Sequence, residues 1–293
     1  MNKRKENLLG YAFVGPALLI FVGLVLFPFV LSIFLSITEW NFFSGWDNIK
    51  IVGFKNFEKL FKDVAFHQAI KNTVIYSVAI VPTSVIIALI LAYLLNDKVF
   101  MKKTMRLCFF IPYISSSVAL AAVFKVMFRE TGAVNNILTG IFGLSEGIRW
   151  FTDPAWSKVP IIIFVIWVQI GFELIIYMAA LQNVPKTLYE ASDIDGITPW
   201  KKFWKITFPL ISPTTFYLIV VQFITVFKIF NAVDVMTHGN VGNSNTSMVY
   251  EIYENAFAFY KFGYASAEAM VLLVIILIVT AINFWGQKKW VHY

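Results

Sequence analysis

Charged residues are scarce in this chain. Only 14% of its 293 residues are charged, while 59% are hydrophobic. In a typical soluble domain about a quarter of the residues are charged, because polar side chains must cover the outside of the core. The composition therefore argues against a soluble globular domain and indicates a protein that lies in lipid.

The chain also lacks the residues on which several kinds of site depend. Its single cysteine, Cys108, excludes an internal disulfide framework. There is no Gly-x-x-x-x-Gly-Lys-Ser/Thr segment to cradle the phosphates of a nucleotide. The histidines His67, His238 and His292 are scattered, and no nucleophile-and-base arrangement is recognisable. We therefore predict no catalytic residues, no metal site and no cofactor bound by this chain.

Long apolar runs are what the sequence has instead. A helix needs roughly 20 mostly apolar residues to cross the hydrocarbon core, and in lipid every backbone group must be paired within its segment. The sequence therefore predicts an all-α, polytopic membrane protein with six transmembrane helices in a single domain over residues 1–293. The predicted spans cover residues 10–37, 73–95, 107–128, 159–181, 213–235 and 267–285.

Lysine and arginine predict the orientation of these spans. With the amino terminus inside, the short inner segments hold more Lys and Arg than the far longer outer segments. By the positive-inside rule, both termini are predicted to be cytoplasmic. Basic inner loops beside anionic lipid account for much of the net charge of +7, so no nucleic-acid partner is needed. The amino-terminal run is too long for a signal peptide and is expected to be retained as the first span.

The inner loop between the fourth and fifth spans, residues 182–212, indicates two short helices. The first would cover residues 186–195, and Gly196 occupies the position where helices commonly end in a left-handed conformation. Thr198 and Pro199 form a cap and a first turn for the second helix. We expect this second helix to lie along the inner membrane surface.

The same loop carries the clearest motif of the chain. It reads Glu-Ala-Ser-Asp-Ile-Asp-Gly over residues 190–196 and, after nine more residues, Ile-Thr-Phe-Pro. This pattern resembles the EAA loop of ABC transporter permeases, in which Glu-Ala-Ala is followed by Asp-Gly and later by Ile-x-Leu-Pro. The departures, Ser192 for the second Ala and Phe208 for Leu, are mild. The positions that match the coupling motif of the family are Glu190, Ala191, Ser192, Asp195, Gly196 and Pro209.

The resemblance covers most of the chain and is closest to carbohydrate-uptake permeases of the maltose and glycerol-phosphate type. It is carried by Gly-Phe-Lys-Asn-Phe at 53–57, by Pro-Tyr at 112–113 and by the stretch 179–185. Asn-Thr at 72–73 indicates the first permease of the usual pair. After the fifth span, Thr-His-Gly-Asn at 237–240 replaces the Thr-x-Gly-Gly-Pro of the family, so no role is carried over to that loop.

The resemblance implies an ATP-driven importer of a sugar or oligosaccharide in the bacterial cytoplasmic membrane. This chain would pair with a second homologous permease, two cytoplasmic ABC ATPase subunits that hold ATP and Mg, and an extracytoplasmic solute-binding protein. The inner loop would form a coupling helix docked on the ATPase, where Glu190 pairs with a basic residue and the small Ala191 permits close approach. Opening and closing of the ATPase dimer would then rock the permease between inward and outward access.

Polar residues inside the spans predict the solute pathway, because such residues are costly in lipid unless they face a cavity or each other. In the fourth span polar side chains recur every four residues on one face, and in the fifth they recur every three. The resemblance to maltose-type permeases places both helices beside the sugar, and aromatic and amide groups are typical of such a site. The predicted lining residues are Gln169, Phe172, Glu173, Tyr177, Gln222, Thr225, Lys228 and Asn231.

Several alternatives remain open from the sequence. Lys228 either pairs with Glu173 or faces an anionic solute, such as a uronate-containing sugar or a phosphate ester. A secondary transporter driven by an ion gradient would have an inverted repeat and helices broken at the midplane, and the sequence shows neither. A structural or regulatory membrane protein would leave the polar residues of the fourth and fifth spans unexplained.

Overall fold

The computed structural model of the chain describes residues 3–41, 43, 45–96, 102–143, 146–239, 242–288 and 290–291. In this part of the chain almost all regular structure is helical. Two compact units are formed: the first from residues 1–63 with 252–274, and the second from residues 64–251 with 275–293. Asn240 and His292, which entered the sequence analysis, lie outside the described residues.

The first unit is built on a long amino-terminal helix. Helix α1 (Lys3–Phe21) continues through a π-helical turn (Val22–Leu26) into α2 (Phe27–Ser36). The π-helical turn directly precedes Pro28, whose ring and missing N–H disturb regular α-helical bonding, and such turns commonly absorb a disturbance of this kind. The stretch Gly10–Ser36 is long and apolar enough to cross a membrane, as predicted for the first span.

Short elements complete the first unit. Strand β1 (Thr38–Glu39) pairs antiparallel with β2 (Lys50–Ile51), and Thr38 lies opposite Ile51. Two further elements stand outside this hairpin: α3 (Lys55–Leu60) and, from the far end of the chain, a π-helical turn (Glu254–Ala258). The last helix, numbered α14 in chain order (Phe262–Gln287), begins in this unit.

The second unit contains the remaining helices. Its core is the packing of three long helices, α4, α8 and α11, against one another. Side chains such as Tyr76, Phe164, Leu174 and Leu218 are fully or almost fully buried among them. The helices are α4 (Val64–Asn96), α5 (Lys102–Ile114), α6 (Ser117–Met127), α7 (Ala133–Phe142), α8 (Val159–Gln182), α9 (Lys186–Ile194), α10 (Pro199–Lys202), α11 (Phe208–Phe227), α12 (Asn231–Thr237) and α13 (Met248–Tyr253).

The third predicted span, 107–128, is not one continuous helix. Helices α5 and α6 are bent by 97° at a short break. Ser116 adopts an extended conformation there, and its hydroxyl accepts a hydrogen bond from the N–H of Ala119 at 3.4 Å, which caps α6. The described residues therefore contain five helices of membrane-crossing length, or six crossings if the bent pair counts as one.

The fifth predicted span, 213–235, is displaced toward the amino terminus. The helical stretch begins at Pro199, passes through a π-helical turn (Phe203–Thr207) and ends at Phe227. The predicted second surface helix of the inner loop is thus wrong as a separate element, because it continues directly into α11. The helix ends at this point with a 3₁₀-type hydrogen bond. The N–H of Lys228 donates to the carbonyl of Thr225, three residues back, at 3.2 Å.

Candidate functional site

A small cavity lies in the second unit where the broken helices meet. Its volume is about 180 Å³, and its walls come from the start of α6, the middle of α8, the end of α11 and the start of α12. Helix ends leave backbone groups that an uninterrupted helix would bond internally, so breaks of this kind bring polar groups to a cavity. Four of the predicted lining residues come together here: Gln169, Thr225, Lys228 and Asn231.

Three other predicted lining residues lie inside the helix packing and do not line this cavity. Glu173 is 0% exposed, and its Oε1 accepts a hydrogen bond from the hydroxyl of Ser84 at 2.8 Å. Tyr177 is equally buried and donates its hydroxyl to Oγ1 of Thr215 at 3.1 Å. Gln222, also buried, lies beside the carboxylate of Glu173. These side chains form a polar cluster that joins α4, α8 and α11.

The polar cluster is incompletely satisfied within the described part of the chain. Oε2 of Glu173 and Oε1 of Gln222 are both buried and have no hydrogen-bond partner there. Buried polar atoms without partners are rare in proteins because each costs roughly 1–3 kcal/mol. Gln222 lies beside the Glu173 carboxylate, and its amide carries an N–H₂ group from which that carboxylate can accept a hydrogen bond.

The structure also shows the surroundings of the two charged residues predicted to line the path, Glu173 and Lys228. Glu173 is buried and bonded to Ser84, whereas Lys228 is exposed and lines the cavity. The ion pair considered from the sequence is thus absent between these two described residues. Phe172, the remaining predicted residue, stacks on Tyr113 of α5 with ring centroids 5.1 Å apart.

Ser84, Thr215 and Ser117 belong to these sites but could not be singled out from the sequence. Ser84 and Thr215 also bond backbone carbonyls of their own helices, those of Val81 and Ile211. Any Ser or Thr in an apolar helix can satisfy itself in this way. The run of three serines at 115–117 was a usable signal for the helix break, because Ser is a favoured N-cap residue.

The second candidate site is the inner loop, which is largely exposed. Of the predicted coupling residues, Glu190, Ala191, Asp195 and Gly196 are exposed. Ser192 is buried and donates its hydroxyl to the carbonyl of Tyr189 at 2.6 Å. Helix α9 and the turn after it thus expose acidic and small residues on their surface.

The end of α9 has the geometry that the sequence predicts. Gly196 is left-handed, with φ of +66°. Its N–H donates to the carbonyl of Asp193 at 3.2 Å, and the N–H of Ile197 donates to that of Ser192 at 3.0 Å. These two bonds are the Schellman motif, which satisfies helix-end carbonyls and turns the chain sharply.

One contact joins α9 to the residue before α11, and another lies within the first turn of α11. The hydroxyl of Tyr189 in α9 bonds that of Thr207 at 3.0 Å, just before α11 begins. Pro209, in the first turn of α11, is half-buried, and its carbonyl accepts the hydroxyl of Ser212 at 2.6 Å. A movement of α9 is therefore connected directly to the start of α11.

Sequence reasoning missed the apolar residues of this surface. Ile194 is 87% exposed, and Leu188 and Trp200 are also exposed. Exposed apolar side chains within a polar segment are a common sign of a protein interface. Their signal in the sequence was masked because the same residues fit the apolar face of a surface helix.

No metal centre is apparent in the part of the chain that the structure describes. No group of three or more His, Cys, Asp or Glu side chains converges there as a metal site would require.

Apolar helices of membrane-crossing length, breaks that open onto a polar cavity and an exposed loop with an interface-like surface define a multi-pass membrane transport protein. Residues 80–291 match the family model of the binding-protein-dependent transport system inner membrane component. The chain belongs to this family: it is a permease subunit of an ABC importer and a multi-pass protein of the cell membrane.

Individual relatives agree over nearly the whole chain. It is 34% identical to the probable ABC transporter permease protein YesP of Bacillus subtilis strain 168, across 99% of this chain and 94% of that protein. It is also 34% identical to the lactose transport system permease protein LacF of Rhizobium radiobacter, across 98% of this chain and 96% of the relative.

A solved structure shows the same fold. The chain is similar to one chain of a bacterial alginate ABC transporter in complex with an alginate pentasaccharide-bound periplasmic protein. The TM-score is 0.84 with 24% sequence identity, and the match covers 98% of this chain and 96% of that one.

The buried cluster predicts different outcomes for two substitutions of Glu173. Glu173→Gln keeps the side-chain shape and an oxygen that can accept the hydroxyl of Ser84, so we expect the thermal unfolding midpoint of the purified complex to stay near that of the parent. Glu173→Ala leaves a cavity and removes that acceptor, and we expect it to lower the free energy of unfolding by roughly 2–4 kcal/mol. Equal destabilisation by both would show that the charge of Glu173, not its packing, holds the cluster.

Proposed function

We propose that this chain is the first permease subunit of an ATP-driven importer for a sugar or oligosaccharide. Its membership of the binding-protein-dependent family supports the importer, and the lactose permease among its relatives supports a carbohydrate. The observation that carries the coupling role is the exposed α9, which ends in a Schellman turn at Gly196 and bears an acidic and apolar surface.

The proposed topology has six crossings and both termini in the cytoplasm. Counting the bent pair of α5 and α6 as one crossing gives six crossings, and with an even number both termini would lie on the same side. The loop after the fourth crossing then lies on that side too, together with its lysines, in agreement with the positive-inside rule. We treat residues 1–293 as one permease domain in the lipid bilayer.

The proposed importer needs partners within the membrane and on both of its sides. A second homologous permease would complete the path, and two cytoplasmic ABC ATPase subunits would bind ATP and Mg and hydrolyse the nucleotide. An extracytoplasmic binding protein would deliver the solute. Glu190 and Ile194 of α9 would contact the ATPase, because a charge beside an exposed apolar side chain suits a specific interface.

The proposed solute path passes the cavity at the helix breaks. Gln169 and Asn231 would bond sugar hydroxyls, and Phe164 and Phe230, which also line the cavity, would supply apolar surface. Ligand sites usually measure about 300–1,000 Å³, so a cavity of about 180 Å³ fits a state in which the path is closed. Rearrangement at the breaks would enlarge it when the ATPase changes conformation.

The cavity is tested by solute uptake into proteoliposomes that hold the whole transporter. Gln169→Ala combined with Asn231→Ala should raise the solute concentration at half-maximal uptake by about tenfold or more, since two sugar hydrogen bonds to neutral groups are lost. Thr237→Ala is the matched control, because Thr237 is also on α12 but does not line the cavity. It should change the solute concentration at half-maximal uptake little. An unchanged half-maximal concentration in the double variant would remove the cavity from the path.

The coupling role is tested by comparing solute-stimulated ATPase activity with uptake. Gly196→Pro cannot adopt φ of +66° and loses the N–H that bonds Asp193, so it should abolish both activities. Glu190→Ala should reduce both by at least about tenfold if its carboxylate pairs with a basic residue of the ATPase. Glu130→Ala, which removes an exposed acid outside the inner loop, is the control.

Two results would contradict the proposed coupling of α9 to the ATPase. If the Glu190 and Gly196 variants assemble with the ATPase and keep parental stimulation, α9 is not the coupling element. If solute moves at the parental rate in vesicles without ATPase, driven by an ion gradient, the ATP-driven assignment itself is wrong.

A further inference from the structure

The first unit contains a large open pocket that has no part in the solute path described above. Its volume is about 940 Å³, and it is formed by the β-hairpin, α3, the π-helical turn at 254–258 and the start of α14. Its lining is polar and rich in charge: Lys50, Lys59, Lys62 and Lys261 stand against Glu39 and Asp63.

The frame of this pocket is fixed by buried contacts. The side-chain amide of Asn56 donates to two backbone carbonyls, those of Ser36 at 2.9 Å and Thr38 at 2.8 Å. A Cβ added to Gly263 would lie 2.1 Å from the same carbonyl oxygen of Thr38, so α14 and β1 approach as closely as only glycine allows. A pocket held in this way is preformed, which lowers the entropy lost when a partner binds.

Positive charge exceeds negative charge in the pocket. Lys59 is 4.0 Å from Glu39 and both side chains are mostly exposed, so this pair is weak. Asp63 accepts the hydroxyl of Tyr264 at 2.6 Å. Among the described residues, the ammonium groups of Lys50, Lys62 and Lys261 have no carboxylate within 4.0 Å. Such a cluster attracts anionic groups of a partner.

Exposed aromatic side chains adjoin the pocket. Phe43 is 75% exposed and packs against Tyr260 with ring centroids 4.5 Å apart. Phe259 is 54% exposed, and the Lys261 ammonium lies 5.3 Å from the centre of its ring. Tyr260 has φ of +57°, a left-handed conformation that is uncommon for a bulky residue and is concentrated at functional sites. Tyr and Phe are among the residue types that are enriched at protein interfaces.

We propose that this basic pocket receives carboxylate side chains of the extracytoplasmic binding protein. The inference rests on the proposed function, because it requires residues 38–63 to face outward. A protein surface carries charges of both signs, so it can be complementary to Glu39 and Asp63 as well as to the lysines. A neutral sugar offers no negative charge to the three ammonium groups, and an anionic solute or a lipid phosphate offers none of the positive charge that Glu39 and Asp63 attract.

The test is a titration of the complete transporter, in nanodiscs of zwitterionic lipid, with its solute-loaded binding protein. Lys50→Glu combined with Lys62→Glu should raise the binding-protein concentration at half-maximal ATPase rate by about tenfold or more, with the same plateau. The pair Lys50→Gln and Lys62→Gln should produce a smaller shift in the same direction. Lys55→Glu, an exposed lysine of α3 outside the pocket, should shift it less than about twofold.

Salt provides a second readout. Between about 50 and 200 mM salt, the half-maximal concentration should rise for the parent and less for the Gln pair, because screening acts on four pocket lysines in the parent and on two, Lys59 and Lys261, in the variant. A half-maximal concentration unchanged by the Glu pair, or moved equally by Lys55→Glu, would overturn the docking site. So would an effect of the Glu pair that appears only in nanodiscs with anionic lipid, since the occupant would then be a lipid headgroup.

The failure of this inference is distinguishable from failure of the proposed function. If the parent complex shows no stimulation by the binding protein at any concentration, the importer assignment fails and the docking site with it. If stimulation is normal and the charge variants titrate like the parent, only the docking site fails.

Discussion

Backbone hydrogen bonding inside lipid is the constraint on which the rest of this structure depends. A membrane helix can stop within the bilayer only where other groups take over its orphan donors and acceptors. In the described part of the second unit, Ser116 caps the start of α6, and the N–H of Lys228 donates to the carbonyl of Thr225 at the end of α11. The cavity that gathers four of the predicted solute-lining residues lies where these two breaks meet. The breaks thus create both the polar surface and the points at which the helices can rearrange.

The exposed inner loop is under a different constraint. Its backbone groups can bond to water, so its shape is determined by local turns and side-chain contacts. The left-handed Gly196 and its two turn bonds give α9 a sharp end, while the contact between Tyr189 and Thr207 fixes α9 to the base of α11. Helix α11 then runs to the break at Lys228 beside the cavity. Under the proposed function, a push on α9 would reach α11 through the contact between Tyr189 and Thr207, which is a physical basis for the proposed coupling of ATP hydrolysis to solute movement.

The long helices were predictable from the sequence, because run length and apolarity determine them. The first, second, fourth and sixth spans correspond to the helical stretches Gly10–Ser36, Val64–Asn96, Val159–Gln182 and Phe262–Gln287. The breaks were not predictable from apolarity, which continues through them. In the fifth span the predicted start at Pro213 was too late. The helix continues from a π-helical turn through Pro209 and Pro213.

The site residues show the same division. Residues whose conformation depends on local geometry, such as the left-handed Gly196, were predictable, because a left-handed helix end favours glycine. Residues whose role depends on tertiary packing were not. Glu173 and Gln169 share one face by spacing, yet Glu173 is buried against Ser84 while Gln169 reaches the cavity. Which part of a helical face meets a neighbouring helix is decided by the partner helices, and a single sequence does not contain that information in its periodicity.

The central claim is that α9 is the contact through which the ATPase acts on this chain. Cross-linking tests it most directly, using Ile194→Cys in a Cys108→Ser background, because Cys108 is itself exposed. We expect a thiol cross-link between position 194 and a cysteine introduced at the surface of the ATPase subunit, with a rate that changes when ATP is added, and none from Glu130→Cys. Absence of any cross-link from position 194 in an assembled, ATP-hydrolysing transporter would contradict the account.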